Sequence, residues 1–299
     1  MRTNDRFRVG NITTTFVSTV VLQLVGEGRL GLDDTVESRL PGVIPSGGAI
    51  TIRQLLNMRS GLFDYLNDGD DTVINTLLSG DRTHVWAPLD LIAITNNHEP
   101  RAAPDSGWSY CNTCYVLLGL IIERTTGHAL ADELRERIFV PARLRSTSFD
   151  SEPRIAGRHA LGYEQFSAGQ LTDVSVVSPS HVWAAGAIVS TADDIARFYS
   201  TLQRGGLLRP DLLAAMQAAG PMSADLPGWG YGFGVIEKPM GCGSAFGHDG
   251  ASPGYIAYAY TSKDASRQSV ILVNAGDGTM EHEDNGALQQ LAERAYCAG

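Results

Sequence analysis

The sequence predicts an α+β protein in which both chain ends build an antiparallel sheet lobe around a mostly helical insertion. Two patterns carry this expectation. Apolar residues recur at helical spacing through the first half of the chain, whereas from Trp229 they alternate in β-rich runs joined by short turns. Size is the third observation: 299 residues with 43% hydrophobic content suit one large domain or two lobes with a sizeable core. Residues 1–33 and 185–299 are assigned to the sheet lobe and 34–184 to the helical one, as one structural unit.

Arg6-Phe7-Arg8-Val9-Gly10 reads as a short strand entering a turn. From Asn11 to Gly28 the apolar residues Phe16, Val20, Val21, Leu24 and Val25 keep helical spacing, which predicts a buried helix with Asn11 as N-cap and Gly26 and Gly28 as its stop. Further helices are expected over Thr51–Arg59, Asp71–Leu78, Leu89–Ile94, Tyr115–Thr126 and Ala129–Ile138. Strands are expected over Gly230–Ile236, Gly243–Phe246, Tyr255–Tyr260 and Ser269–Asn274, with Ser262-Lys263-Asp264 as a turn. The amphipathic segment Asn285–Tyr296 should then cover one face of that sheet.

Charge excludes several functions. With 23 Lys+Arg against 33 Asp+Glu, the net charge of -10 argues against binding nucleic acid or acidic membranes. The longest apolar run, Phe16 to Val25, is broken by Ser18, Thr19 and Gln23 and is too short to span a bilayer. MRTNDRFRVG lacks the apolar stretch of a secretory signal, so the chain as written is expected in the cytoplasm. No cofactor motif is present.

Several motifs in order carry a resemblance. Phe7-Arg8-Val9-Gly10 leads into the Asn11 helix, Leu24-Val25-Gly26-Glu27-Gly28-Arg29-Leu30 continues it, and Thr51 to Gly61 reads TIRQLLNMRSG. Tyr110-Cys111-Asn112 and Phe246-Gly247-His248-Asp249-Gly250 follow. Together they resemble the penicillin-recognising serine hydrolases, in particular D-alanyl-D-alanine carboxypeptidases and class C β-lactamases, along nearly the whole chain. The resemblance implies a β-lactamase/transpeptidase-like fold. It also implies a serine nucleophile, a lysine one turn later that removes its proton, and a tyrosine that assists the leaving group.

Where the family has Ser-x-x-Lys, this chain reads Asn11-Ile12-Thr13-Thr14. An amide has no nucleophilic oxygen with a removable proton, and a threonine hydroxyl is no base near neutral pH. The only two lysines, Lys238 and Lys263, fall in expected turns of the carboxy-terminal sheet. Asp249 replaces the threonine that helps bind the substrate carboxylate, and Ile236 aligns with the arginine that carboxypeptidases use for it. Unit charges about 4 Å apart interact by roughly 4 kcal/mol at an effective dielectric of about 20, so this swing should reject an anionic ligand.

The polar set left is Asn11, Thr14, Tyr110, Asn112, His248 and Asp249. Tyr110, His248 and Asp249 are the catalytic candidates; Asn11, Thr14, Asn112, Trp183 and Gly250 are the candidates for ligand binding. The expected function is a non-acylating homologue that binds a small or peptide-like ligand or performs non-covalent acid/base chemistry on it. The alternative is an amide or ester hydrolase with Thr13 or Thr14 as substitute nucleophile, although Thr13 leaves the helix about 200° from Asn11. Alone, His248-Asp249-Gly250 would be a turn. The Trp183-Ala184-Ala185-Gly186-Ala187 stretch reads either as cleft floor or as small-residue packing.

Four cysteines allow three pairings in two bridges. The resemblance implies a Cys242–Cys297 disulfide in an oxidising compartment, while Cys111 and Cys114 read as small buried residues, Cys111 facing away from the cleft. Glu281-His282-Glu283-Asp284 reads as a solvated helix start, and no metal site is expected. Asn11-Ile12-Thr13 formally matches a glycosylation acceptor but sits at a helix start. Family members carry a helix and two strands ahead of the residues where this chain begins. Their absence implies an unpaired sheet edge, explained by a start placed too far downstream or by an edge that pairs with another chain. A preceding signal-bearing segment would make the protein extracellular.

Overall fold

The computed structural model describes residues 2, 4–167, 170–276 and 286–298. Strand β1 (Phe7–Arg8) leads into a single 3-10 turn, Gly10–Ile12, and then into helix α1 (Thr13–Gly26). Every residue of α1 from Thr13 to Leu22 is buried, so this helix is the spine of the core. The expected Asn11 cap is not formed. Asn11 lies in the 3-10 turn, α1 starts at Thr13 without a side-chain cap, and the Asn11 amide is committed elsewhere. Gly28 (φ +70°) takes the chain out of the helix, as the glycine stop anticipated.

Helices α2 (Val36–Arg39) and α3 (Ile52–Leu56) start on threonine caps, and α3 has a complete Thr51/Gln54 capping box. They are followed by α4 (Thr72–Leu78), α5 (Pro88–Asn96), α6 (Asn112–Thr126) and α7 (Leu130–Leu134). Gly127 in the left-handed region ends α6, and a wide π turn, Arg135–Phe139, extends α7. The helical segment also contains strands that its periodicity did not announce: β2 (Ser148–Phe149), β3 (Tyr163–Ser167) and β4 (Gln170–Asp173). Beyond it come β5 (Ile188–Ser190), α8 (Ala192–Gln203) and α9 (Pro210–Met216).

The carboxy-terminal part supplies β6 (Gly220–Pro221), β7 (Gly230–Tyr231), β8 (Ile236–Met240), β9 (Gly243–Ser252), β10 (Tyr255–Thr261), β11 (Gln268–Val273), β12 (Ala275–Gly276) and α10 (Gly286–Ala298). The main sheet has the order β11-β10-β9-β8-β7-β6, with every neighbouring pair antiparallel. Two small sheets, β1-β5-β2 and β12-β3-β4, flank it. Among the described residues β11 is an edge strand. The Gly243–Phe246 expectation was too short: β9 runs ten residues, and His248-Asp249-Gly250 lies inside it rather than in a turn. Ladder pairing to β10 overrides the turn preference of Asp-Gly.

Phe16 of α1 stacks on Phe198 of α8, and Gln268 of β11 donates to the Ala196 carbonyl, fixing α1, α8 and the sheet together. The start of α1 is pressed against β9 through two glycines. A Cβ on Gly10 (φ +52°) would stand 2.3 Å from the Ala251 carbonyl oxygen, and one on Gly250 would stand 2.0 Å from that of Val9. Trp183 belongs to a 3-10 turn, Trp183–Ala185, that packs on Gly119 of α6, where a Cβ would be 2.7 Å from its ring. Small-residue packing therefore accounts for this stretch.

Both cysteine pairs are disulfides. Cys242–Cys297 ties α10 to the β8–β9 turn, as the resemblance implied; Cys111–Cys114 corrects the expectation of two separate buried thiols. The Glu281–Asp284 run lies outside the described residues. By loop-closure entropy a bridge spanning 55 residues is worth about 4 kcal/mol. The variant with both Cys242→Ser and Cys297→Ser is expected to lose roughly that amount in urea unfolding; an unchanged midpoint would refute a tethering role for this bridge.

Candidate functional site

The first turn ahead of α1, the start of α6 and the middle of β9 meet at one point. Asn11 Nδ2 donates to Asn112 Oδ1 at 3.1 Å, joining α1 to α6. The hydroxyl of Thr14 donates to the Asn11 carbonyl at 2.8 Å, so it is engaged with its own helix. Thr13 points elsewhere, its Oγ1 accepting from the Ile188 amide at 3.2 Å in the fully buried core. Gly250 contributes backbone alone: a Cβ there would lie 3.0 Å from the Asn11 nitrogen.

Tyr110 precedes α6, and its ring meets that of His248 edge-on at 6.3 Å between centroids. Burial pushes the Tyr110 phenol well above its ordinary range, Tyr115, Asp64 and Asp249 add to the shift, and Asn11 offsets it in part. It therefore stays protonated at neutral pH, a donor and not a base. Its hydroxyl is buried beside the Asn11 side chain, whose hydrogen bonding is what offsets the shift, and Nε1 of Trp108, whose ring is 6.4 Å away, is buried with no hydrogen-bond partner among the described residues.

His248 is buried, at 2% exposure. Nδ1 faces the Asp249 carbonyl, which can only accept, so the proton sits on Nδ1 and Nε2 accepts from the Tyr231 hydroxyl at 3.2 Å. Desolvation lowers its pKa from 6.5 to about 4. The imidazole is thus neutral and held by its neighbours.

The expected His248–Asp249 acid/base pair is corrected by strand geometry. Successive side chains in β9 point to opposite faces. His248 faces Tyr231 and Tyr110, whereas Asp249 stands opposite Tyr258 in the ladder and its charge acts on Tyr258, Tyr260 and Lys238. Lys238 is itself buried on that second face, with Nζ 4.3 Å from the Trp229 ring and 5.4 Å from the Tyr260 ring. Desolvation lowers its pKa against the pull of Asp249. Lys263 lies in the turn between β10 and β11, so neither lysine stands beside Thr14. Ile236 is buried opposite Gly247 in β8.

Sequence reasoning missed three residues. Trp108 and Tyr231 have rings 5.8 Å apart and complete an aromatic wall around Tyr110 and His248. Asp64, fully buried, accepts from the Asn112 backbone at 3.1 Å and from Asn112 Nδ2 at 2.9 Å. A lone aspartate after Ser60-Gly61-Leu62-Phe63 gave no signal by spacing. Cys111 faces away from the cleft, as expected, towards Ser60. Trp183 is not brought into the cluster. A concavity of about 430 Å³ among Arg29, Ser38, Arg39, Arg124 and Thr125 lies at the other end of α1, and its Arg29 and Arg39 are engaged with Thr125 and Asp34.

A six-stranded antiparallel sheet, a buried spine helix and a cleft where both meet α6 define the β-lactamase/transpeptidase-like fold. Residues 1–294 match the family model described as Beta-lactamase, and the chain belongs to that family. Penicillin-binding protein 4 of Amycolatopsis lactamdurans is 29% identical over 93% of this chain and 74% of its own length. A D-aminopeptidase of Brucella anthropi is 28% identical, and the chain spans 94% of itself but only 52% of that protein. Among solved structures, a D-stereospecific amidohydrolase from Streptomyces sp. superposes with a TM-score of 0.90 at 34% identity, covering 99% of this chain and 88% of the other. The D-amino acid amidase of Ochrobactrum anthropi SV3, complexed with L-phenylalanine amide, gives 0.86 at 27% identity, covering 100% and 85%.

The site's titratable groups set a pH profile. His248 and the equally buried His181 both have pKa values lowered to about 4, so the stability they contribute is complete above pH 6.5 and is lost as pH falls towards 4. Asp64, raised to about 6 by burial, acts in the opposite sense: its penalty is relieved between pH 6 and 3.8. Two groups against one leave a net loss of about 1.4 kcal/mol per pH unit between pH 6 and 4. Urea unfolding across that range should show it, and a flat profile would rule out neutral buried imidazoles.

Proposed function

We propose that this protein is a non-acylating member of the beta-lactamase family whose cleft binds a small or peptide-like ligand of neutral or cationic character, with amides of D-amino acids as the chemical class to try first. The observation that carries the reading is the state of position 11: it bears a carboxamide hydrogen-bonded to Asn112, and the neighbouring Thr14 hydroxyl is spent on the Asn11 carbonyl. Acylation needs a nucleophilic oxygen and a base beside it. Lys238 stands on the second face of the sheet, and His248, at a pKa of about 4, is a weak proton acceptor.

The same groups support binding. Tyr110, held protonated by burial, and the indole N–H of Trp108 offer donors for a ligand carbonyl. Asp64 and Asp249 raise the Tyr110 phenol by their negative charge, while Arg101, ion-paired with Asp68, donates to the Tyr110 carbonyl. A D-aminopeptidase and a D-amino acid amidase are among the named relatives, which makes amides of D-amino acids the class to try first. A threonine-based hydrolase is the weaker alternative, because Thr13 is buried against Ile188 and Thr14 is turned back on α1. The outer edge of β11 supports self-association; a single monomeric species at all concentrations in sedimentation would remove that part of the reading.

Intact mass after incubation with a penicillin tests the proposal. No adduct is expected on the natural chain, and one is expected on the variant carrying both Asn11→Ser and Thr14→Lys. An adduct on the natural chain would restore the hydrolase. In calorimetry D-phenylalanine amide should bind saturably without release of ammonia, and Tyr110→Phe should weaken it about tenfold, the worth of one hydrogen bond of roughly 1.4 kcal/mol.

A further inference from the structure

Asp64 stands behind the cleft in the loop between α3 and α4 and touches nothing that a ligand would reach. Its carboxylate nevertheless receives four donors. Oδ2 accepts from the Asn112 backbone, from Asn112 Nδ2 and from Asn67 Nδ2 at 3.1, 2.9 and 3.1 Å, and Oδ1 accepts from the Leu66 amide at 3.1 Å. An ionised carboxylate has no proton to give, so Asn112 can meet it only with its NH2 group. That fixes the other end of the amide. Asn112 must present Oδ1 to Asn11, and Asn11 must answer with its own NH2. Its carbonyl oxygen is then the atom left for a ligand.

We propose that Asp64 is a positioning residue that sets, through Asn112, which way the Asn11 amide faces, so that the cleft offers an acceptor at position 11 and selects ligands with an N–H donor there; protonation of Asp64 releases this setting. The proposal rests on the binding reading above and deepens it. A protonated Asp64 carries an O–H that can donate to Asn112 Oδ1, so the Asn112 amide is free to turn over and the order of donors and acceptors reverses along the chain Asp64–Asn112–Asn11.

The surroundings isolate this proton. Asp64 N–H donates to Asp68 Oδ2, and Asp68 is ion-paired with Arg101, which also donates to the Tyr110 carbonyl at 2.6 Å. The loop and the start of α6 are therefore clamped together whatever the state of Asp64. Tyr65 and Tyr110, the neighbouring phenols, are both pushed up and stay neutral. His248, beyond Tyr110, and His181, whose carbonyl accepts from the Tyr65 hydroxyl, titrate at about 4. Asp64 is raised to about 6, apart from both.

Nitrogen-15 NMR of the full chain between pH 4.5 and 7.5 reads the switch without a ligand. The side-chain amide resonances of Asn112 and Asn11 are expected to shift together with one midpoint near pH 6. Amides that stay flat, or that move with different midpoints, overturn the proposal on the natural chain alone, so a variant that fails to fold does not shelter it. In Asp64→Asn the step should vanish; a step that persists there also overturns it. Affinity for D-phenylalanine amide, which is a cation throughout pH 4.5–6.5, should fall about tenfold across the same midpoint. If the amides titrate but this probe binds at no pH, the ligand class proposed above fails and the role of Asp64 stands. If the probe binds with an affinity that ignores the amide titration, the selecting role of Asp64 fails and the binding reading stands.

Discussion

The contact on which the site depends is backbone against backbone, where the Gly10–Ile12 turn meets β9. Gly10 and Gly250 face each other's chains at distances that leave no room for a side chain, and this closeness sets where α1 begins relative to the sheet. Because α1 is buried along nearly its whole length, it has no freedom to slide. Asn11 is delivered to Asn112, and His248 to Tyr110 and Tyr231, as consequences of that one approach. The aromatic wall of Trp108, Tyr110, Tyr231 and His248 then closes the cleft from the side of β7 and β9.

Much of this was legible in the sequence. The helices of the middle segment and most strands after Trp229 were announced by their periodicities, because each buries one face against a common core; the expected Gly230–Ile236 strand instead divides into β7 and β8, and Lys238 lies in β8 rather than in a turn. What was not legible involves contacts between distant segments. The strands β2, β3 and β4 are short, and β2 and β3 pair with strands far along the chain, so they leave little local pattern. Asn11 suits a cap by type, yet its amide is claimed by Asn112 a hundred residues later. His248-Asp249 reads as an adjacent acid and base; a strand places such neighbours on opposite faces, and the tertiary partners of each decide its protonation.

The two faces of the sheet hold their charges differently. On the cleft face the polar groups form a nearly neutral set of amides, phenols and an unprotonated imidazole, arranged by one buried carboxylate. On the second face Lys238 and Asp249 share a setting of aromatic rings, where the lysine's positive charge is stabilised by the faces of Trp229 and Tyr260. The hydrogen bond from Asn11 to Asn112 joins the start of α1 to α6, while that of Thr14 stays within its own turn.

The Cys242–Cys297 bridge also changes how the chain bears force. A pull applied beyond Cys297 crosses covalently to Cys242 and passes into β8, so the load bypasses β9, β10, β11, β12 and α10. These elements carry no tension until the sulfur bridge or β8 gives way. Peeling from the carboxy end, the ordinary first step for a terminal helix, is closed to this protein in its oxidised state, and β8 becomes the mechanical anchor of the sheet.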